Sequence, residues 1–131
     1  MKKPIANHSV VESRSQRLEL IRAIEQARDS HVIAYVTGDR PGATVQIGED
    51  AVRPMYEHVR SLGFDGVQRI DLFLYSRGGA VEVPWRIVSM LREYCKEFNV
   101  LVPYKAHSAA TLIALGADHI VMGKKGELGP I

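Results

Sequence analysis

The stretch VLVPYKAHSAATLIALGA, from Val100 to Ala117, constrains this chain more than any other. Its first part, Val100 to Tyr104, is a short β-branched and aromatic run of the kind that forms a buried strand. Its second part, Ser108 to Leu115, is small and aliphatic, and Gly116 closes it in the manner of a helix C-terminus. The change of period falls at Ala106-His107-Ser108. A serine hydroxyl therefore stands where a strand gives way to a helix, beside backbone N–H groups, a place suited to an activated nucleophile. The same serine also fits a plain N-cap, and this stretch by itself does not separate the two readings.

The flanking sequence repeats the alternation. Residues 1–12 are polar and are expected to form a flexible N-terminus, with the domain running from 13 to 131. From Ser13, Leu18, Ile21 and Ile24 recur at helical spacing, ending near Asp29-Ser30. His31 to Thr37 reads as a compact strand, and Gly38 to Ala43 carries turn chemistry. A second helix opens at Gly48 with Glu49 and Asp50 in its first turn, where the helix dipole favours acids. Its apolar face is Val52, Met55, Tyr56, Val59 and Leu62. Gln68 to Tyr75 is a second strand, stopped by Ser76-Arg77-Gly78-Gly79. A third helix follows, with Pro84 in its first turn and a stripe of Ile87, Val88, Leu91, Tyr94, Cys95 and Phe98. Asp118 to Met122 is a last short strand, and Gly123 to Pro130 a loop. Strands alternating with helices predict an α/β fold around a mostly parallel sheet.

Gln68 to Tyr104 thus forms a strand, a helix and a strand. If its two strands are parallel neighbours, the loops after Tyr75 and Tyr104 leave the same sheet edge, the carboxyl edge at which open parallel sheets bind ligands. Gly78-Gly79 would then approach Ser108. Glycines let a backbone N–H come close to a ligand, and Ala109 offers a second N–H just past the serine. Two such donors beside a hydroxyl compose an oxyanion hole for acyl transfer; a merely tight turn at Gly78-Gly79 is the alternative.

The segments LYSRGGAVEVPWRIVSMLREY and VPYKAHSAATLIALGADHIVMGKKGELGPI resemble the Clp/crotonase superfamily of serine peptidases. The chain is most similar there to the serine dehydrogenase proteinase family, related to signal peptide peptidase A, over roughly residues 31–131. The resemblance implies a Clp/crotonase-like fold with repeated β-β-α and βαβ units, Ser108 as nucleophile, and Gly79 and Ala109 as oxyanion donors, with Gly78 in support. It implies a polypeptide substrate, no cofactor, and a homo-oligomer. Arg77 stands where many relatives have proline, and Ala110 where many have glycine. The general base of the relatives lies beyond the segment resembling Gly129 to Ile131, so the chain is expected to be truncated at its C-terminus. A crotonase-type acyl-CoA enzyme and an inactive scaffold subunit are the rival readings.

Other residues weigh less. His107 adjoins Ser108, but neighbouring side chains at such a turn diverge, and a base must reach the hydroxyl. Lys105 would need burial to lower its pKa. His8, His31, His58 and His119 show no metal-ligand spacing, so no metal is expected. Cys95 reads as a small buried hydrophobe and Trp85 as a packing anchor. As the single cysteine, Cys95 excludes an internal disulfide and fits a reducing, cytoplasmic location. A net charge of +2 spread along the chain points to no nucleic-acid surface, and no apolar run approaches a membrane span.

Overall fold

Four strands form one parallel sheet in the order β1-β4-β5-β7. They are β1 (His31–Val36), β4 (Val67–Tyr75), β5 (Cys95–Val102) and β7 (His119–Met122). The structure is a computed structural model and describes residues 5–63 and 65–131. Between and around these strands lie α1 (Ile5–Arg28), α2 (Val52–Arg60), α3 (Val83–Arg92) and α4 (Ala109–Leu115). Two small pairs complete the fold: an antiparallel hairpin of β2 (Asp39–Arg40) and β3 (Ala43–Thr44), and a parallel pair of β6 (Lys105–Ala106) with β8 (Glu127–Leu128).

The central strands are apolar along most of their length because both faces of the sheet carry helices. Ile70, Leu72 and Leu74 of β4 and Phe98, Val100 and Val102 of β5 point to one face, at period two. There they meet Met55 and Val59 of α2, Ile87 and Leu91 of α3, and Ile113 of α4, and this is the core. The alternate residues face α1. Its Ile21 and Ile24 border an apolar groove of about 560 Å³, whose floor includes Ala34, Val36 and Phe73.

Polar groups hold the α1 side in place. Asp71 is fully buried beneath the end of α1, where the Arg28 guanidinium donates to it at 2.5 Å and Asn99 Nδ2 at 3.1 Å. Burial by itself would raise the Asp71 pKa, but those donors outweigh it and keep the carboxylate below its ordinary range. Arg69, ion-paired with Glu97, donates to the Arg28 carbonyl at 2.5 Å. Asp29, at φ +50, then turns the chain out of the helix and into β1.

Several boundaries differ from the sequence reading. The first helix begins at Ile5, not Ser13, so residues 5–12 are helical rather than a loose arm; Met1 to Pro4 lie outside the described residues. No glycine or proline interrupts the chain from Ile5 to Arg28, so the helix has no local reason to stop earlier. The third helix ends at Arg92, and Cys95 and Phe98 belong to β5. Their spacing continues the helical stripe, but pairing of Cys95 with Val67 and of Phe98 with Ile70 prevails. Cys95 is half-buried there, and burial pushes its thiol pKa up, away from the thiolate. Trp85 is 78% exposed, because the buried face of α3 is Val83, Pro84, Ile87, Val88 and Leu91. The loop after Gly123 contains β8.

Candidate active site

The site is built where β4 and β5 end. The two strands run parallel, with Leu72 opposite Val100 and Phe73 opposite Leu101. Past their ends a further parallel bridge joins Ser76 to Ala106: the Ser76 N–H donates to the Lys105 carbonyl at 2.9 Å, and the His107 N–H to the Ser76 carbonyl at 3.0 Å. The loops carrying Gly78-Gly79 and Ser108 therefore leave the same sheet edge side by side, as the strand-helix-strand reading requires. A Cβ placed on Gly78, whose φ is +115°, would stand 2.7 Å from Ser108 Cβ and 3.2 Å from its Oγ. No residue but glycine fits between the two loops at that point.

Ser108 itself has φ +55° and ψ −119°. A non-glycine residue holds such a conformation only when its surroundings impose it. Here the imposing contacts are Ser108 N–H to the Pro130 carbonyl at 3.1 Å, before it, and Ala110 N–H to the His107 carbonyl at 3.0 Å, after it. The serine occupies the N-cap position of α4, but its side chain makes no capping hydrogen bond. The bland reading of an N-cap serine is thus half right: the position is a cap, and the hydroxyl does not serve it. A sharp strand-to-helix turn of this kind lifts a serine hydroxyl clear of the backbone.

The segment Glu127 to Pro130 lies over the turn. The Gly129 N–H donates to the Ala106 carbonyl at 2.9 Å, and the single Thr111 hydroxyl proton is shared between the carbonyls of Ala106 (2.8 Å) and Gly129 (2.9 Å). On the other side, Ile47 bridges Gly79. The Ile47 N–H donates to the Gly78 carbonyl at 2.8 Å, and the Ala80 N–H to the Ile47 carbonyl at 2.9 Å. In a parallel bridge of this form the N–H of the middle residue, Gly79, is directed away from the bridging strand. The Ala109 N–H opens α4, where helix geometry supplies no acceptor.

Neither internal base candidate addresses the serine. The His107 ring nitrogen Nε2 lies 2.8 Å from Glu127 Oε1, with Gly129 packed against the ring. Lys105 Nζ sits 4.7 Å above the Tyr104 ring. Beside them stands a polar cluster that the sequence did not single out. Tyr75 Oη donates to Asp39 Oδ2 at 2.8 Å and Arg77 Nε to the same oxygen at 2.9 Å. The Tyr75 hydrogen bond and the Arg77 guanidinium hold the Asp39 carboxyl below its usual range, and Asp39 in turn pushes the Tyr75 phenol up. Only the folded hairpin brings Asp39 to this edge, so no local signal announces it. Elsewhere, His31 and His58 meet with Nε2 atoms 2.9 Å apart. Their ring centroids are 5.1 Å apart, the separation of two imidazoles joined tip to tip by one N–H···N bond. Among the described residues no group of three or more metal-ligating side chains occurs, and no helix is long and apolar enough to cross a membrane.

Comparison with known proteins accords with this geometry. The chain is 31% identical over 126 residues to one uncharacterized protein of Methanocaldococcus jannaschii and 30% identical over 125 residues to another. Each match covers 88% of this chain but only 41% and 42% of the relative, so the chain spans less than half the length of the curated relatives it matches. Among solved structures it is similar to a ClpP1 mutant from Listeria monocytogenes, with a TM-score of 0.52 over 72% of this chain and 51% of that one. At 19% identity that likeness shows the fold alone: α/β, with a parallel sheet, ClpP-like. The family model of the ClpP-like SDH-type serine proteinases matches residues 4–131, and the chain belongs to that family.

Proposed function

We propose that this chain is a serine peptidase-like domain in which Ser108 attacks the carbonyl carbon of a peptide bond. The observation that carries the reading is the strained Ser108 turn packed against Gly78. Strain of this kind persists where geometry at a reacting atom has been selected over local comfort. In the proposed step the Oγ lone pair forms the new C–O bond, and the carbonyl electron pair moves onto oxygen. That oxyanion is received by the N–H groups of Gly79 and Ala109, and the hydroxyl proton passes to a general base. No cofactor enters the reading.

Among the described residues the two base candidates are taken, His107 by Glu127 and Lys105 by the Tyr104 ring, so the base is proposed to come from elsewhere. A serine hydroxyl without a base is a weak nucleophile, so the 131-residue chain should hydrolyse peptides very slowly or not at all. The same observation favours a second reading, an inactive subunit that serves in assembly. The crotonase-type alternative needs no serine and leaves the Ser108 turn unexplained. A homo-oligomer is supported by the exposed apolar side chains of Leu20, Val36, Trp85 and Leu115, and a cytoplasmic location by the lone cysteine.

The test is hydrolysis of a fluorogenic peptide series by the chain and its variants. Residual turnover should be lost in Ser108→Ala. Robust hydrolysis that His107→Ala or Lys105→Ala abolishes would show that the base is internal, and turnover that survives Ser108→Ala would remove the serine mechanism.

A further inference from the structure

Two buried hydroxyls have no part in the reaction described above. Thr37, just past β1, is 2% exposed and Ser76, just past β4, is 0% exposed. Thr37 Oγ1 lies 2.7 Å from Ser76 Oγ. The Gly78 N–H donates to the same Ser76 oxygen at 3.0 Å, and that oxygen lies 3.5 Å from the Gly78 carbonyl, a long contact. The Thr37 N–H donates to the Tyr75 carbonyl at 2.9 Å, so its hydroxyl is carried on strand pairing rather than on a loose loop.

The consequence follows from peptide geometry. A trans peptide is planar, with its C=O and N–H pointing in opposite directions. The Gly78 carbonyl accepts from the Ile47 N–H at 2.8 Å. Fixing that carbonyl fixes the Gly79 N–H on the other side of the same plane. Two consecutive glycines at φ +115° and +155° have no side chain to restrict rotation, so the plane must be held from outside. Ile47 holds its carbonyl end. The hydroxyl pair holds the preceding N–H, that of Gly78.

We infer that Thr37 and Ser76 are positioning residues that lock the Gly78–Gly79 peptide with its N–H presented to Ser108. This rests on the Ser108 reading given above for what the amide would serve. The lock itself is a property of the loop and is measured without any ligand.

The experiment uses Thr37→Val, Thr37→Ser and Ser76→Ala in the 131-residue chain, with two readouts. The first is the NMR scalar coupling across the hydrogen bond from the Ile47 N–H to the Gly78 carbonyl. The second is affinity for a peptidyl boronic acid. Its boron accepts the Ser108 Oγ lone pair in a new O–B bond, breaks no bond to carbon, and releases the hydroxyl proton to solvent, leaving a tetrahedral anion in the place of the oxyanion. Thr37→Val and Ser76→Ala should weaken the coupling and reduce boronate affinity about tenfold, less than the loss of a whole oxyanion donor. Thr37→Ser, which keeps the hydroxyl, should retain both. Unchanged coupling in Thr37→Val, or an equal loss in Thr37→Ser, overturns the inference. Weakened coupling with unchanged boronate affinity shows that the lock does not serve the site and overturns it as well. A wild-type chain that shows the coupling pattern but forms no adduct at Ser108 removes the serine reading and leaves the lock standing.

Discussion

Ser108 and Gly78 hold positive-φ conformations against each other at the site. At φ +55° Ser108 stores strain of about 1–3 kcal/mol, and its hydroxyl repays none of it by capping α4. Ser108→Gly should therefore raise stability by about 1 kcal/mol in denaturant unfolding, the strain relieved exceeding the added chain entropy, while all reaction at the site is lost. A drop in stability would mean that the turn is not strained. Gly78→Ala is the converse case. Its Cβ would press on the Ser108 Cβ at 2.7 Å from a backbone conformation that L-residues avoid, so it should destabilise by about 2 kcal/mol. Both positions were legible in the sequence, because a Gly-Gly after a strand and a serine at a strand-to-helix switch are local signals. The Thr37–Ser76 pair was not legible, nor was Asp39 beside Tyr75 and Arg77. Each joins residues far apart in sequence, and only the register of β1 on β4 and the fold of the β2–β3 hairpin bring them together.

At the scale of elements, the alternation of strands and helices was readable, and the places where it misled have one cause. Helical spacing of apolar residues continues past Arg92 into Cys95 and Phe98, and nothing local distinguishes a helix stripe from the start of a buried strand; pairing with β4 decides it. The attachment of α1 is likewise invisible in a one-dimensional pattern, because it depends on a buried carboxylate meeting an arginine 43 residues away. Arg28→Ala leaves Asp71 buried without its cation, which costs about 3–5 kcal/mol at a fully buried pair and about 2 here, since Arg28 is partly exposed. Urea unfolding of that variant should show the loss, and Asp71→Asn with Arg28→Ala should recover part of it. The α2 contact to β1 carries a pH dependence. Burial first, and the neighbouring His58, lower the His31 pKa below 6.5, although Glu25 opposes them. The unfolded chain then binds a proton more readily than the folded one, so this contribution is complete above about pH 6.5 and is lost as pH falls below it. Thermal melts from pH 8 to 5 should show that loss, and His58→Gln should reduce it.

Among the described residues the two faces of the sheet are covered unequally. Helices α2, α3 and α4 seal the core, while the α1 side keeps an apolar groove along Ala34, Val36 and Phe73 that continues past Leu101 and Val121. Val36 is 56% exposed and Leu20 66%. A surface of that kind favours association, so light scattering should find the chain self-associated, and Val36→Glu with Leu20→Glu should shift it toward monomer without unfolding it. A monodisperse monomer at all concentrations would contradict this.

The central claim, that Ser108 is the nucleophile of a serine peptidase site, is tested most directly by treating the chain with a fluorophosphonate and mapping the adduct by mass spectrometry. The account predicts slow addition of a single label, on Ser108 and not on the other serines, and none in Ser108→Ala. Labelling that falls on another serine of the folded wild-type chain, or that persists unchanged in Ser108→Ala, would contradict it.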